Sequence, residues 1–188
     1  MCKKQAISQR YGFTIVELLI VIVVIGILAA ITIVSFNGVT ARAENMKTIS
    51  GATAYAKAFS MYAIDNGSYP LASSYPCLGA PASGNCARVV TVAGQCDFSG
   101  QASVDTAFDA QLSKYLPTKP SISEQKMNCG GSLYTGAYVN ANPGNTKQLS
   151  FVVYLNNVTC PASAGTATLN STDASSNVRI CAYNMPNL

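Results

Sequence analysis

The sequence predicts an α+β protein, in which one long N-terminal helix packs on a small antiparallel β-sheet head with disulfides. Three observations predict it. Residues 18–41 contain no Asp, Glu, Lys or Arg, and an amphipathic helical pattern follows them without a break. The rest is rich in Ser, Gly, Pro, Ala and Asn, with short runs of Val, Ile, Phe and Tyr that are typical of strands. A chain of 188 residues allows one domain with a core and one non-globular element.

The apolar run is long enough to span a membrane. At about 1.5 Å per residue it covers the roughly 30 Å hydrocarbon layer as a helix, and lipid enforces helix even on many Val and Ile residues. Lys3, Lys4 and Arg10 precede the run, and no acidic residue occurs before Glu17. Basic residues before a first spanning segment stay in the cytoplasm, which predicts export of the C-terminal part. The alternative is a buried core helix, which needs a larger soluble partner surface than this chain offers.

The exported part is nearly neutral. Setting aside the three basic leader residues leaves nine of the 12 basic residues, against eight acidic ones. An electrostatic nucleic-acid surface is therefore not indicated.

The helix is expected to continue beyond the apolar run and to end near residues 65–67. Asn66 and Gly67 accept a left-handed cap, and Pro70 blocks continuation. One helix of about 50 residues, about 75 Å long, would lie half in lipid and half in the domain. Apolar residues at helical spacing define the face that would lie on the head, namely Met46, Ile49, Ala52, Ala56, Phe59 and Ala63.

The head is expected to be a small antiparallel sheet that covers the helix. Four runs have strand composition, residues 87–92, 133–139, 149–155 and 178–183, and 149–155 is the strongest candidate for a central strand. A short amphipathic helix is expected over residues 104–116.

Six of the seven cysteines lie in the predicted head, and Cys2 lies in the leader. The six are Cys77, Cys86, Cys96, Cys129, Cys160 and Cys181. An even number in an oxidising compartment predicts three disulfides, with 15 possible connectivities. Three precede residue 100 and three follow it, so full pairing requires at least one bridge between the halves.

No metal site or other cofactor is expected. A zinc site is the alternative use of the cysteines, but the chain has no histidine and no CxxC spacing. Calcium is the alternative for the aspartates of the head, which lack the spacing of a ligand loop: Asp97, Asp105, Asp109 and Asp173.

The junction of the basic leader and the apolar run, GFTIVELLI from Gly12, indicates a processing and assembly signal. A secretory signal has its small-residue cleavage site after the apolar stretch, so Ala29-Ala30 is the alternative site. Gly12 precedes the stretch and has no side chain, so a protease at the membrane surface can approach its carbonyl. Glu17 begins an apolar run in which a charge costs roughly 2.5 to 3.5 kcal/mol at the bilayer centre. This cost favours a function for Glu17 over a role as a boundary marker.

The run GFTIVELLIVIVVIGILAAI resembles the N-terminus of type IV pilins and pseudopilins, and the resemblance extends from about residue 3 to residue 70. In that family a membrane aspartic peptidase cuts after the glycine and methylates the new N-terminal phenylalanine. The resemblance implies cleavage between Gly12 and Phe13 and N-methylation of Phe13. It also implies that Glu17 pairs with the amino group of Phe13 on a neighbouring subunit. Many members have a helix-kinking proline where this chain has Val34.

What the resemblance implies is a structural subunit of a type IV pilus, serving adhesion, twitching motility or DNA uptake. Its partners would be copies of itself, minor pilins, prepilin peptidase and the inner-membrane assembly machinery. The precursor would be a single-pass membrane protein with a cytoplasmic N-terminus, and the mature subunit would lie in an extracellular fibre. The segments would be a cleaved leader (1–12), a membrane and assembly helix (13–41), an amphipathic helix (42–67) and the head (68–188).

Two alternatives remain beside the pilus subunit. One is a pseudopilin of a type II secretion or competence system, and the other is a membrane-tethered binding module on the cell surface. No catalytic residues are expected, because the sequence has no histidine, nucleophile elbow or phosphate loop.

Overall fold

The structure is a computed structural model. It describes residues 12–72, 75–79, 85–86, 102–122, 127–129, 132–134, 137–140, 146–156, 158–162, 166–173 and 178–188. The chain forms two compact units, Met1–Thr40 and Ala41–Leu188.

The main helix, α1, runs from Ile15 to Asn66 over 52 residues. In the first unit its described side chains are all exposed. Its end is where the sequence places it: Gly67 has a φ of 66° and donates its N–H to the carbonyl of Ala63 at 2.9 Å. Glycine adopts this left-handed conformation without steric cost, so it stops the helix.

The other described elements form the head. The strands are β1 (Cys77–Leu78), β2 (Asn85–Cys86), β3 (Ala102–Ser103), β4 (Met127–Cys129), β5 (Ser132–Tyr134), β6 (Ala137–Asn140), β7 (Ser150–Asn156), β8 (Thr166–Asp173) and β9 (Val178–Asn184), and a short helix α2 (Thr106–Leu112) lies between β3 and β4. The main sheet has the order β1-β6-β7-β9-β8, and all its pairs are antiparallel. The predicted α+β class is confirmed.

The principal core lies where the head segment of α1, residues 41–66, meets one face of this sheet. Phe59 of α1 is its centre, with ring centroids 6.0 Å from Tyr55, 6.0 Å from Phe108 of α2 and 5.9 Å from Phe151 of β7. Aromatic pairs at these separations add to the stabilisation from apolar burial. The prediction of β7 as a central strand is confirmed, because it pairs with β6 and with β9.

The other face of the sheet carries a second buried cluster. It contains Tyr138, Val152, Tyr154, Ile180 and Ala182, together with Ala102 of β3 and two half-cystines. Those two, Cys77 and Cys86, form a disulfide with Cα atoms 5.8 Å apart. This bridge fixes β2 beside the sheet edge formed by β1.

The inward face of α1 differs from its prediction at one end. Ala52, Phe59 and Ala63 are buried as expected, but Met46 is 66% exposed. The first inward positions belong to Asn45 and Thr48, which are both buried. The apolar pattern missed this turn because a polar side chain occupies the face there.

Several element boundaries also differ. The predicted strand 133–139 is two strands, β5 and β6, since β5 pairs with β4 whereas β6 pairs with β1 and β7. The helix predicted over 104–116 is shorter and corresponds to α2. The Asp105 side chain caps its start by accepting from the N–H groups of Ala107 and Phe108, and Ser113 is its C-cap, with its N–H donated to the carbonyl of Ala110. Strand β8 was not predicted, since its sequence TATLNSTD has little apolar alternation. The strand predicted over 87–92 lies outside the described residues.

Candidate processing and assembly site

The predicted cleavage site lies in a short non-helical segment before α1. Gly12, Phe13 and Thr14 are exposed and precede the first helical residue, Ile15. The Phe13 side chain is 87% exposed. A Cβ atom built on Gly12 meets nothing within 4 Å. Packing within the described part of the chain therefore imposes no demand for glycine here.

Glu17 forms a capping box with Thr14 at the N-terminus of α1. The Oε2 atom of Glu17 accepts from the Thr14 N–H at 2.9 Å and from the Thr14 hydroxyl at 2.9 Å. The Glu17 N–H donates to Thr14 Oγ1 at 3.2 Å. Reciprocal bonds of this kind satisfy the free N–H groups of a first helical turn. The carboxylate is thereby held toward the end of the helix where Phe13 lies.

The helix beyond Glu17 presents an apolar surface on all sides. Within the described residues, α1 is the helix long and apolar enough to cross a membrane, and its most apolar part has no share buried in the protein. Large side chains from Leu18 to Ile33 are about half exposed or more. A helix that is apolar all round needs a solvent or a partner other than water, either lipid or other helices.

Sequence reasoning found Glu17 but missed its partner within the chain. The signal was present, since Thr14-Ile15-Val16-Glu17 matches the capping-box pattern. The pairing of Glu17 with Phe13 of a neighbouring subunit stays a prediction, as do cleavage and methylation at Gly12 and Phe13. The Phe13 and Glu17 residues are brought to the same end of α1.

Four of the six predicted head cysteines form two disulfides in the described part of the chain. Cys77 pairs with Cys86, and Cys160 pairs with Cys181 with Cα atoms 5.6 Å apart. Cys129 lies in β4, and Cys96 falls outside the described residues. In the described part of the chain, no group of three or more His, Cys, Asp or Glu side chains could hold a metal ion.

A family model and several known proteins match this chain. Residues 7–33 match the model of the prokaryotic N-terminal methylation motif. The type II secretion system core protein G of Escherichia coli is 36% identical over 66 residues, which cover 35% of this chain and 46% of that protein. Its counterpart in Klebsiella michiganensis is 41% identical over 63 residues, covering 34% of this chain and 44% of that protein.

A pilin is also among the relatives. The type IV major pilin protein PilE1 of Neisseria gonorrhoeae is 36% identical over 63 residues, covering 34% of this chain and 38% of that protein. The matched region thus spans less than half the length of each of these three relatives. No solved structure matches the chain. The chain therefore carries a prokaryotic N-terminal methylation motif, and its N-terminal third is similar both to type II secretion system core protein G and to a type IV major pilin.

Proposed function

We propose that this chain is the precursor of a filament subunit that polymerises through the N-terminal half of α1. The observation that carries the proposal is the exposed apolar surface of α1, with one capped carboxylate at its start and a folded head beyond it. Such a helix suits two environments in turn. Lipid solvates it in the precursor, and helices of other copies cover it in a fibre.

Processing would precede assembly. Prepilin peptidase would cleave between Gly12 and Phe13, and the new amino group of Phe13 would be methylated. The exposed, non-helical backbone of Gly12 to Thr14 supports this step, because a protease requires an extended substrate that it can approach closely. The precursor would have its N-terminus in the cytoplasm, with Lys3, Lys4 and Arg10 on that side.

On assembly, the Glu17 carboxylate would change its partner from Thr14 of its own chain to Phe13 of another copy. In the single subunit, the carboxylate accepts from Thr14 at 2.9 Å. In the fibre, it would face the charged amino group of Phe13 on a neighbouring copy. Pairing neutralises two charges that would otherwise enter the helical bundle alone, and leaving one buried charge unpaired costs roughly 3 to 5 kcal/mol.

Two kinds of fibre are candidates. The sequence analysis predicts a type IV pilus, for which the similarity to a major pilin is the supporting observation. The relatives named as type II secretion system core protein G favour a pseudopilus. In both, the partners would be copies of the chain, minor subunits, the peptidase and the inner-membrane machinery. Adhesion, motility or DNA uptake would belong to the fibre of the first kind and secretion to the second.

The test is to label sheared fibres with an antibody against the head, using cells that lack the chain as the control. Labelling along the fibre length, restored by the wild-type copy, is the expected result. Long surface fibres favour the pilus, whereas lost secretion of exported proteins without such fibres favours the pseudopilus. A chain found only in the membrane with its leader intact would instead support a tethered binding module.

A further inference from the structure

One buried side chain fastens the start of the head segment of α1 to the sheet. The Nδ2 atom of Asn45 donates to the carbonyl of Asn156 at 2.9 Å, and its Oδ1 accepts from the Asn156 N–H at 2.7 Å. One amide thus satisfies both backbone polar groups of one residue, as a neighbouring strand would. The Asn156 side chain adds a bond from its Nδ2 to the Oε2 of Glu44 at 3.3 Å.

The position of Asn156 explains why such a partner is needed. It is the last residue of β7, which pairs with β9 along its whole length but with β6 only from Ser150 to Val152 among the described residues. In an antiparallel sheet, the N–H and C=O of one residue point to the same neighbour. Those of Asn156 point to Asn45, so the side chain stands where a strand would otherwise continue.

Burial makes this contact costly to omit. Asn45 is 5% exposed, and it is the first buried side chain met along the described part of α1 from its N-terminus. A leucine could fill similar space, but it would leave the backbone N–H and C=O of Asn156 without these hydrogen bonds, and an unpaired polar group away from water is destabilising. The amide of Asn45 thus supplies both hydrogen bonds that an apolar side chain of similar size could not make.

We propose that Asn45 is a positioning residue that acts as a latch: it fastens the turn of α1 in which it lies to the end of β7. A pulling force along α1 is then transmitted to the sheet through Asn156. This rests on the proposed function, because only a subunit held in a fibre by α1 is pulled along that helix. Strand β7 suits this role, since its ladder with β9 runs from Ser150 to Asn156. Without the latch, the turn of α1 before Thr48 can separate from the sheet while the core around Phe59 remains packed.

The test is hydrogen exchange, followed by mass spectrometry, on the full-length protein in detergent micelles. In Asn45→Leu, the amides of residues 41–50 should exchange at least about tenfold faster, as expected when a buried hydrogen-bonded contact is lost and local opening becomes easier. The amides of residues 178–184 in β9 should keep their wild-type rates. This contrast separates a local latch from a general loss of stability.

Three variants complete the test. Asn156→Ala keeps both backbone bonds to Asn45 and loses only the 3.3 Å side-chain bond to Glu44, so it should raise the exchange rate by less than Asn45→Leu. Met46→Leu alters the exposed neighbour of Asn45 and should exchange like the wild type. Asn45→Gln keeps the amide donor and acceptor on a side chain that is one methylene longer, so it should give an intermediate rate. It decides the question if Asn45→Leu does not fold.

Unchanged exchange at residues 41–50, or an equal rise in β9, would overturn the proposal. A second measurement addresses tension directly: fibres built from Asn45→Leu should break into shorter pieces under shear that leaves wild-type fibres intact. Equal resistance of the two fibres would contradict the role in tension. If the wild-type chain forms no fibres, the proposed function fails, while the exchange result still reports on the latch.

Discussion

At the scale of single residues, Glu17 has a local role in the subunit, and the proposed fibre would give it a second, intermolecular one. Its carboxylate caps α1 through Thr14, and in the proposed fibre it pairs with an amino group of another copy. An alanine removes both roles together. A glutamine keeps the hydrogen-bonding pattern of a capping box but carries no charge, so the two substitutions together separate the roles.

We predict that Glu17→Ala and Glu17→Gln subunits are inserted and cleaved but assemble poorly. Insertion should become slightly easier, because no charge needs solvating. Assembly should suffer, because each Phe13 amino group would enter the bundle unpaired, at roughly 3 to 5 kcal/mol. The measurement compares sheared and membrane fractions from cells in which the variant is the only copy. A normal fibre yield from the Glu17→Gln variant would show that Glu17 acts only as a helix cap. A normal yield from the Glu17→Ala variant would show that Glu17 is only a boundary marker.

Gly12 is the residue on which processing should depend most sharply. We predict that Gly12→Ala is still largely processed and that Gly12→Val is not, because a branched side chain keeps the protease from the scissile carbonyl. The free space around Gly12 means that neither change should disturb the folding of the subunit itself. Leader loss is measured by the size of the chain in membranes. Efficient removal of the leader from the valine variant would count against the assignment of the cleavage site.

At the scale of elements, α1 packs in the head through both small and large residues. Gly51 is buried where the segment around Ile122 crosses the helix, and Tyr55, one turn on, accepts a hydrogen bond from the Gly79 N–H at 2.8 Å. A Cβ atom on Gly51 would lie 3.0 Å from Ile122 Cγ1 and 3.6 Å from the Ser121 carbonyl oxygen. The close crossing thus depends on a residue without a side chain.

We predict that Gly51→Val destabilises the head by about 1 to 3 kcal/mol, the usual range for overpacking, although valine has the higher helix propensity. Ser50→Val is the matched control. Ser50 is exposed on the same turn, so its substitution should change the free energy of unfolding by no more than about 0.5 kcal/mol. Urea unfolding followed by tyrosine fluorescence measures both. Equal stability of the two variants would show that the crossing at Gly51 adapts.

The sequence predicts elements whose burial follows a simple period and misses those held by polar contacts. The apolar run, the Gly67 stop and β7 could be predicted because composition and period agree there. Asn45 could not, because its burial depends on the backbone of Asn156, which is 111 positions away in the chain. Edge strand β8 was missed for a related reason, since a polar strand beside β9 leaves no apolar alternation to detect.

At the scale of the whole molecule, distant parts of the chain meet where α1 ends. The Tyr69 N–H donates to the carbonyl of Thr146 at 2.8 Å, and the Tyr69 hydroxyl donates to the carbonyl of Pro186 at 2.6 Å. Leu188 in turn donates its N–H to the carbonyl of Lys147 at 3.2 Å. Pro186 and Leu188 thus help to hold the segments that meet just after the end of α1.

The disulfides lead to a prediction about the remaining cysteines. The two described bridges each lie on one side of residue 100, so if all six head cysteines pair, Cys96 bonds to Cys129. We predict this third bridge in the exported protein, with a loss of about 2 to 5 kcal/mol when a native disulfide is removed. Peptide mapping without reduction tests it. Cys96→Ser should expose one reactive thiol, at Cys129, and thiol labelling of both residues in the native protein would contradict the pairing.

The central claim, that the chain is processed into a filament subunit, is tested most directly by the intact mass of the protein recovered from sheared fibres. The account predicts a chain that begins at Phe13, carries one added methyl group on its amino terminus and lacks the hydrogens of six cysteine thiols. Reduction should restore those hydrogens and leave the other two changes in place. A chain in the membrane that keeps residues 1–12, with no counterpart in a fibre fraction, would contradict the claim.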